Sequence, residues 1–170
     1  MRSFSVIFRI SRIFIVILII KERNKAMKSS ELLLNKIIDF EGCKLTAYKC
    51  PAGVWTIGVG HTKGVKQGQT ISEAQAISLL KGDLLPCENY VNNLGVCKIQ
   101  GQFDALVDFC FNLGTGALGR STLLKFIRQG KAEQYIRGEF AKWVKSGGKT
   151  LAGLVKRRAW EADRYFGKQS

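Results

Sequence analysis

The chain has 170 residues, 46% of them apolar, and a formal net charge of +14. That length suits one domain with a proper core, and that apolar share excludes wholesale disorder. One histidine and five cysteines with no C-x-x-C pair argue against a zinc site, and the odd cysteine count argues against a complete disulfide framework.

The charge is unevenly placed. Residues 1–26 hold six Lys/Arg and one acid, residues 27–119 hold eight of each, and residues 120–170 hold thirteen Lys/Arg and four acids. A basic C-terminal end suits a polyanionic partner, either nucleic acid, anionic lipid or bacterial wall polymer; it equally suits a solvated face that aids solubility. The thiols Cys43, Cys50, Cys87, Cys97 and Cys110 are expected to be free, as in a reducing compartment.

Residues 1–26 form a segment of their own, ahead of a domain spanning 27–170. Arg2, Arg9 and Arg12 precede the apolar run Ile13–Ile20. The run is shorter than the roughly 20 residues needed to span a bilayer. It has the length of a signal-peptide core behind a basic lead, with no A-x-A-like cleavage site after it. An uncleaved export anchor, a basic membrane-surface helix and upstream sequence read through in frame all remain open.

Ser29 or Ser30 then offers a helix N-cap with Glu31 in the first turn, and Leu33, Leu34, Ile37, Ile38 and Glu41 recur on one face. Gly42 is placed to end that helix. Residues 53–60, GVWTIGVG, predict a small hairpin. Residues 72–94 predict a helix capped by Ser72 and interrupted near Pro86. Further helices are predicted over 101–113, 120–130, 131–145 and 154–166, broken at Gly114/Gly116/Gly119, Gly130 and Gly147/Gly148.

Glu41 poses the chemical question. It sits in the last turn of a helix, where the unsatisfied carbonyls repel a carboxylate by ~0.3–1 kcal/mol. It also continues an apolar face. Both effects favour the protonated acid, the form a general acid needs. The bland alternative is a core-edge glutamate paired with Arg157 or Arg158.

The stretch FEGCKLTAYKCPAGVWTIGVGHT, Phe40 to Thr62, resembles the catalytic signature of phage-type lysozymes, glycoside hydrolase family 24. Its three positions are occupied here by Glu41, Cys50 and Thr56, with Tyr48, Gly58, Gly60 and His61 also matching. Two further stretches match, Gln102 to Gly130 and Phe140 to Phe166, so the resemblance covers about residues 28–167.

The resemblance implies an α+β lysozyme-like fold, with a mostly helical lobe, a small β-hairpin lobe and a cleft between them. It implies cleavage of the β-1,4 bond between N-acetylmuramic acid and N-acetylglucosamine in peptidoglycan, with inversion and with no metal or organic cofactor. Glu41 would be the general acid, Cys50 would stand where the family usually has aspartate, and Thr56 would hold the attacking water. A thiol is the poorer base unless neighbours such as Lys44 or Lys49 stabilise its thiolate. Phe111 and Asn112 would border the saccharide cleft, Thr122 and Arg137 are weaker candidates for sugar or peptide contact that fit a surface or packing role better, and Tyr48 and His61 would support the site. In some exported members with an active-site cysteine, a disulfide to a neighbouring cysteine blocks activity; by that resemblance Cys43–Cys50 is a candidate regulatory pair.

The partners expected are therefore peptidoglycan, anionic wall polymers at the basic C-terminal lobe, and a membrane at residues 1–26. The protein is expected to be a monomer made in a bacterial host's cytoplasm that acts on the wall. Two rival functions stand beside this: a glycan-binding module disabled by Cys50, and a membrane-active cationic protein. Nucleic acid ranks last as a partner, because the basic helices carry no reading motif and little aromatic interleaving.

Overall fold

The structure is a computed structural model that describes residues 26–167. The readings of the N-terminal segment therefore lie, but for residue 26, outside the described residues. Among the described residues no helix is long and apolar enough to cross a membrane.

Helix α1 spans Glu31–Glu41 and buries Leu33, Leu34 and Ile37. Its cap is Ser30, whose hydroxyl oxygen accepts from the Leu33 amide at 3.2 Å. The same hydroxyl donates to Asp104 at 2.6 Å, so the cap is itself anchored to a neighbouring helix. Gly42, at φ 74°, ends α1 immediately after Glu41. An L side chain adopts that φ only with strain, so the stop is sharp.

Strands β1 (Lys44–Lys49) and β2 (Trp55–Gly58) pair antiparallel, with Tyr48 opposite Thr56 and Lys49 opposite Trp55. The sequence reading of 53–60 located only the second strand. β1 is largely exposed, so it carries no alternation of buried and open positions to read. The turn between them is Cys50–Pro51–Ala52–Gly53, closed by a bond from the Gly53 amide to the Cys50 carbonyl at 2.8 Å. Proline second and glycine fourth are the residues a type I turn favours.

Helix α2 (Glu73–Leu94) starts at a capping box between Ser72 and Gln75. It runs through Pro86 unbroken, against the expected interruption. Pro86 forfeits one backbone bond, but Leu80, Leu84, Cys87 and Val91 hold both halves of α2 on the core. Helix α3 (Gln100–Leu113) is the central element and buries every position from Gly101 to Cys110 except Gln102.

The glycine-rich break after α3 contains a short helix, α4 (Thr115–Gly119), before α5 (Thr122–Arg128) and α6 (Glu133–Ala141). The helix expected to reach residue 145 stops at Ala141. A hairpin of two-residue strands comes next, β3 (Lys145–Ser146) and β4 (Lys149–Thr150), turned by Gly147 and Gly148 at φ 55° and 79°. Helix α7 (Ala152–Tyr165) closes the chain against α3.

The result is the expected α+β architecture: a helical body built around α3, and a small hairpin lobe joined to it by α2. The core runs through α1, α2, α3 and α7, with Phe103, Phe109, Phe140 and Leu106 fully buried in it.

Candidate active site

Three helices place Glu41. α1 delivers it at its C-terminal end, α3 supplies Asp108, and α7 supplies Arg157 between them. Arg157 holds Asp108 through two parallel bonds, Nε to Oδ2 at 2.9 Å and Nη2 to Oδ1 at 2.8 Å. Its remaining nitrogen, Nη1, donates to Glu41 Oε1 at 2.5 Å. The guanidinium also lies over the Phe40 ring, 5.1 Å from its centroid.

The two carboxylates are not equivalent. Asp108 is completely buried, whereas the Glu41 side chain is 37% exposed. Burial alone works against the charge on Arg157, but the hydrogen bonds and charges of Asp108 and then Glu41 outweigh it and hold its pKa above the ordinary value. Glu41 Oε1 is thus fixed by a cation that Asp108 already claims. Glu41 Oε2 has no protein partner among the described residues. The pairing with Arg157 was the bland alternative for Glu41, and the side chain is more open than its place on an apolar face suggested.

Glu41, Arg157 and Asn112 line one concavity of about 310 Å³, with Phe40 and Leu154. Asn112 lies one turn beyond Asp108 on the same face of α3, which is why the two meet adjacent arginines of α7. Arg158 donates to Asn112 Oδ1 at 3.1 Å and to Glu161 Oε1 at 2.5 Å. Burial, then the nearby Asp108, pushes the Glu161 carboxyl well above its usual range, and burial lowers Arg158. Phe111 is half-buried and packs against the core.

Cys50 and Thr56 sit on the hairpin lobe. The Cys50 thiol is lowered from its ordinary pKa, first by the backbone of Val54, then by Ala52 and the Thr56 side chain, partly opposed by desolvation. Turn geometry therefore supplies the stabilisation expected of Lys44 or Lys49. Those lysines lie over rings instead, Lys44 over Tyr48 at 4.1 Å and Lys49 over Trp55 at 5.4 Å. Thr56 is buried, and its hydroxyl donates to the Val54 carbonyl at 3.1 Å. Its lone pairs remain as acceptors. His61 ties the lobe to α2, with Nδ1 on Asp83 at 2.9 Å and Nε2 facing the Lys63 carbonyl at 3.0 Å.

Three further candidates are placed as follows. Cys43 and Cys50 are both free and stand at opposite ends of β1. At about 3.3 Å per residue their Cα atoms are roughly 20 Å apart, whereas a disulfide needs about 4–7 Å. The pair could join only if β1 were dismantled. Thr122 lies on α5 in a different concavity, beside Arg120, Lys125 and Arg128. Arg137 is occupied by Glu133 at 2.6 Å and Asp163 at 2.7 Å, so it pins α6 to α7, the packing role weighed beside substrate contact.

Asp108, Glu161 and the contact of Arg158 with Asn112 escaped the sequence reading. One signal was available: Asp104 and Asp108 interrupt an otherwise apolar run from Phe103 to Phe111, and a buried acid demands a buried base.

Comparison with known proteins gives a consistent picture. Residues 38–161 match the family model described as phage lysozyme. The endolysin of Bacillus phage B103 is 42% identical over 148 residues, covering 85% of this chain and 56% of that protein. The chain thus spans only about half the length of that relative. The endolysin of Acyrthosiphon pisum secondary endosymbiont phage 1 is 39% identical over 140 residues, covering 79% of this chain and 95% of that protein. Among solved structures, the muramidase domain of SpmX from Asticaccaulis excentricus has a TM-score of 0.73 at 37% identity, covering 81% of this chain and 97% of that one.

The thiols allow a direct check on the hairpin geometry. Burial pushes Cys87 up to about 11, and Cys97 and Cys110 up to about 12. Thiols react as thiolates, so iodoacetamide at about pH 8 should label Cys50 and exposed Cys43 in the native protein and the other three only after unfolding. Peptide mass mapping reads the order; native labelling of Cys110 as fast as Cys50 would contradict it.

Proposed function

The chain belongs to the phage lysozyme family, and on that footing we propose that it is an endolysin that hydrolyses the β-1,4 bond between N-acetylmuramic acid and N-acetylglucosamine in peptidoglycan. The observation that carries this reading is the setting of Glu41. Its carboxyl group is half-open at a concavity, with one oxygen held by a buried guanidinium and the other unpartnered among the described residues.

In the proposed reaction protonated Glu41 gives its proton to the glycosidic oxygen as the bond from that oxygen to the anomeric carbon breaks. Water adds to the opposite face of the sugar, and Cys50 takes a proton from it. Thr56, whose one hydroxyl proton is engaged inside the hairpin by the Val54 carbonyl or the Cys50 sulfur, accepts a hydrogen bond from that water and leaves the water oxygen's lone pair free to attack. The lowered Cys50 thiol supports its part: a larger thiolate fraction means more of the base form and a negative charge near the oxocarbenium-like transition state.

The wall is also the proposed target of the basic lobe. Two adjoining concavities, of about 360 and 410 Å³, share Lys125 and Gln129. Arg120, Lys125, Arg128 and Lys131 line them with no acidic residue, and Tyr135 borders one end. We assign anionic wall polymer to this strip, which shares no lining residue with the Glu41 concavity.

Wild type should release new reducing ends from purified peptidoglycan, and Glu41→Gln should lose about 10²–10⁴-fold of that rate while still folding and binding. Full digestion by Glu41→Gln would remove the assignment. In the same assay Cys50→Asp should raise the rate, since aspartate is fully ionised at neutral pH; an unchanged rate would show that proton removal from water is not limiting. For the strip, Lys125→Gln with Arg128→Gln should weaken cosedimentation with intact walls in low salt. The difference should vanish near 1 M salt, where screening acts over about 3 Å. Equal binding at low salt would exclude the strip.

A further inference from the structure

Arg158 takes no part in the proposed chemistry, yet its burial is costly. Its side chain is 1% exposed and lies over Phe109, 5.1 Å from the ring centroid. Nη2 serves both Glu161 Oε1 and Asn112 Oδ1, while Nε, Nη1 and Glu161 Oε2 have no partner among the described residues. A buried ion pair left with three unpaired polar atoms is less stabilising than apolar side chains of similar volume. Stability is therefore a poor reason for Arg158 and Glu161 to be there.

The contact with Asn112 offers a better one. We propose that Arg158 is a positioning residue that fixes the side-chain amide of Asn112, so that its Nδ2 is offered to the cleft as a donor and the site selects the acetamido carbonyl oxygen of an N-acetylhexosamine. This rests on the muramidase reading and adds what the helical wall of that cleft recognises.

The argument is one of hydrogen-bond sign. A guanidinium only donates, so the Asn112 atom facing it is the oxygen. The amide is planar and its two ends point apart, so Nδ2 is turned away from Arg158. Nδ2 meets no protein acceptor among the described residues, and Asn112 lines the same concavity as Glu41. Glu161, three residues along α7, holds the other side of Arg158 and keeps the guanidinium from turning. Arg157 and Arg158 thus orient two cleft groups, Glu41 and Asn112, from adjacent positions on one helix. A glycan offers hydroxyl, ring and carbonyl oxygens to a fixed N–H donor. The amide carbonyl is the strongest neutral acceptor of the three, and only it is lost on deacetylation.

Asn112→Asp is the discriminating variant. It keeps an oxygen toward Arg158, so the buried contact survives, but it replaces the outward donor with an acceptor. On soluble N-acetylated glycan strands it should raise KM about tenfold, with kcat at its pH optimum and the melting temperature unchanged. On the same strands after chemical de-N-acetylation the gap between wild type and variant should close. Arg158→Met combined with Glu161→Leu supplies the second arm: with both partners replaced by apolar side chains no carboxyl group is stranded, so it should fold at least as stably, raise KM by itself, and with Asn112→Asp added be no worse than Asn112→Asp alone. Wild-type KM in Asn112→Asp would overturn the proposal. So would an equal loss on both substrates, which would point to a hydroxyl acceptor. Should the paired replacement fail to fold, the Asn112→Asp pair of measurements decides alone. A wild type that cleaves neither substrate would instead remove the muramidase reading on which the proposal stands.

Discussion

Arg157 is one cation shared by two acids, and the geometry of the candidate site depends on that sharing. Asp108 lies at the centre of α3 with no access to water, so it requires a counter-charge inside the protein. Arg157 supplies it through a two-pronged contact that Asp108 cannot leave. Breaking such a pair from one side typically costs about 3–5 kcal/mol, because the remaining charge is stranded. Glu41 joins this pair from the solvent side. It therefore gains a fixed position without being sealed in.

The same seam between α3 and α7 places the rest of the helical wall. Asp104, Asp108 and Asn112 recur every four residues on α3, and Arg164, Arg157 and Arg158 answer them from α7. At one end Asp104 binds Arg164 and also receives the Ser30 amide and hydroxyl. Helix α1 is thus anchored at its start by Asp104 and at its end by Arg157. Its length between Ser30 and Gly42 then sets where Glu41 emerges. Apolar packing gives the body its stability, while this polar seam sets its register, since a carboxylate and a guanidinium do not slide past one another as two leucines can.

The hairpin lobe is built on different terms. It is two short strands, the first largely open to solvent, fastened to α2 through His61 and Asp83 and to the core through Ile57 and Val59. The thiol it carries owes its lowered pKa to backbone groups of its own turn. A turn of Pro51, Ala52 and Gly53 fixes those groups with little help from packing. One side of the proposed reaction is thus held by buried charge and the other by local backbone geometry. The basic strip, along α5 and the start of α6, shares no lining residue with the Glu41 concavity.

Much of this was written in the sequence. The apolar spacing of α1, its cap and its terminating glycine were legible because each is a local property of a short stretch of chain. So were the helical body and the basic C-terminal end. Tertiary structure alone decided which arginine meets Glu41, that Asp108 claims it first, that Arg137 is spent on Asp163, and that β1 holds Cys43 and Cys50 apart. It also carried α2 through Pro86. For the arginines the reason is that hydrogen bonds and ion pairs across 26 to 116 residues of chain depend on helix packing, and neither spacing nor composition records which partners that packing will bring together.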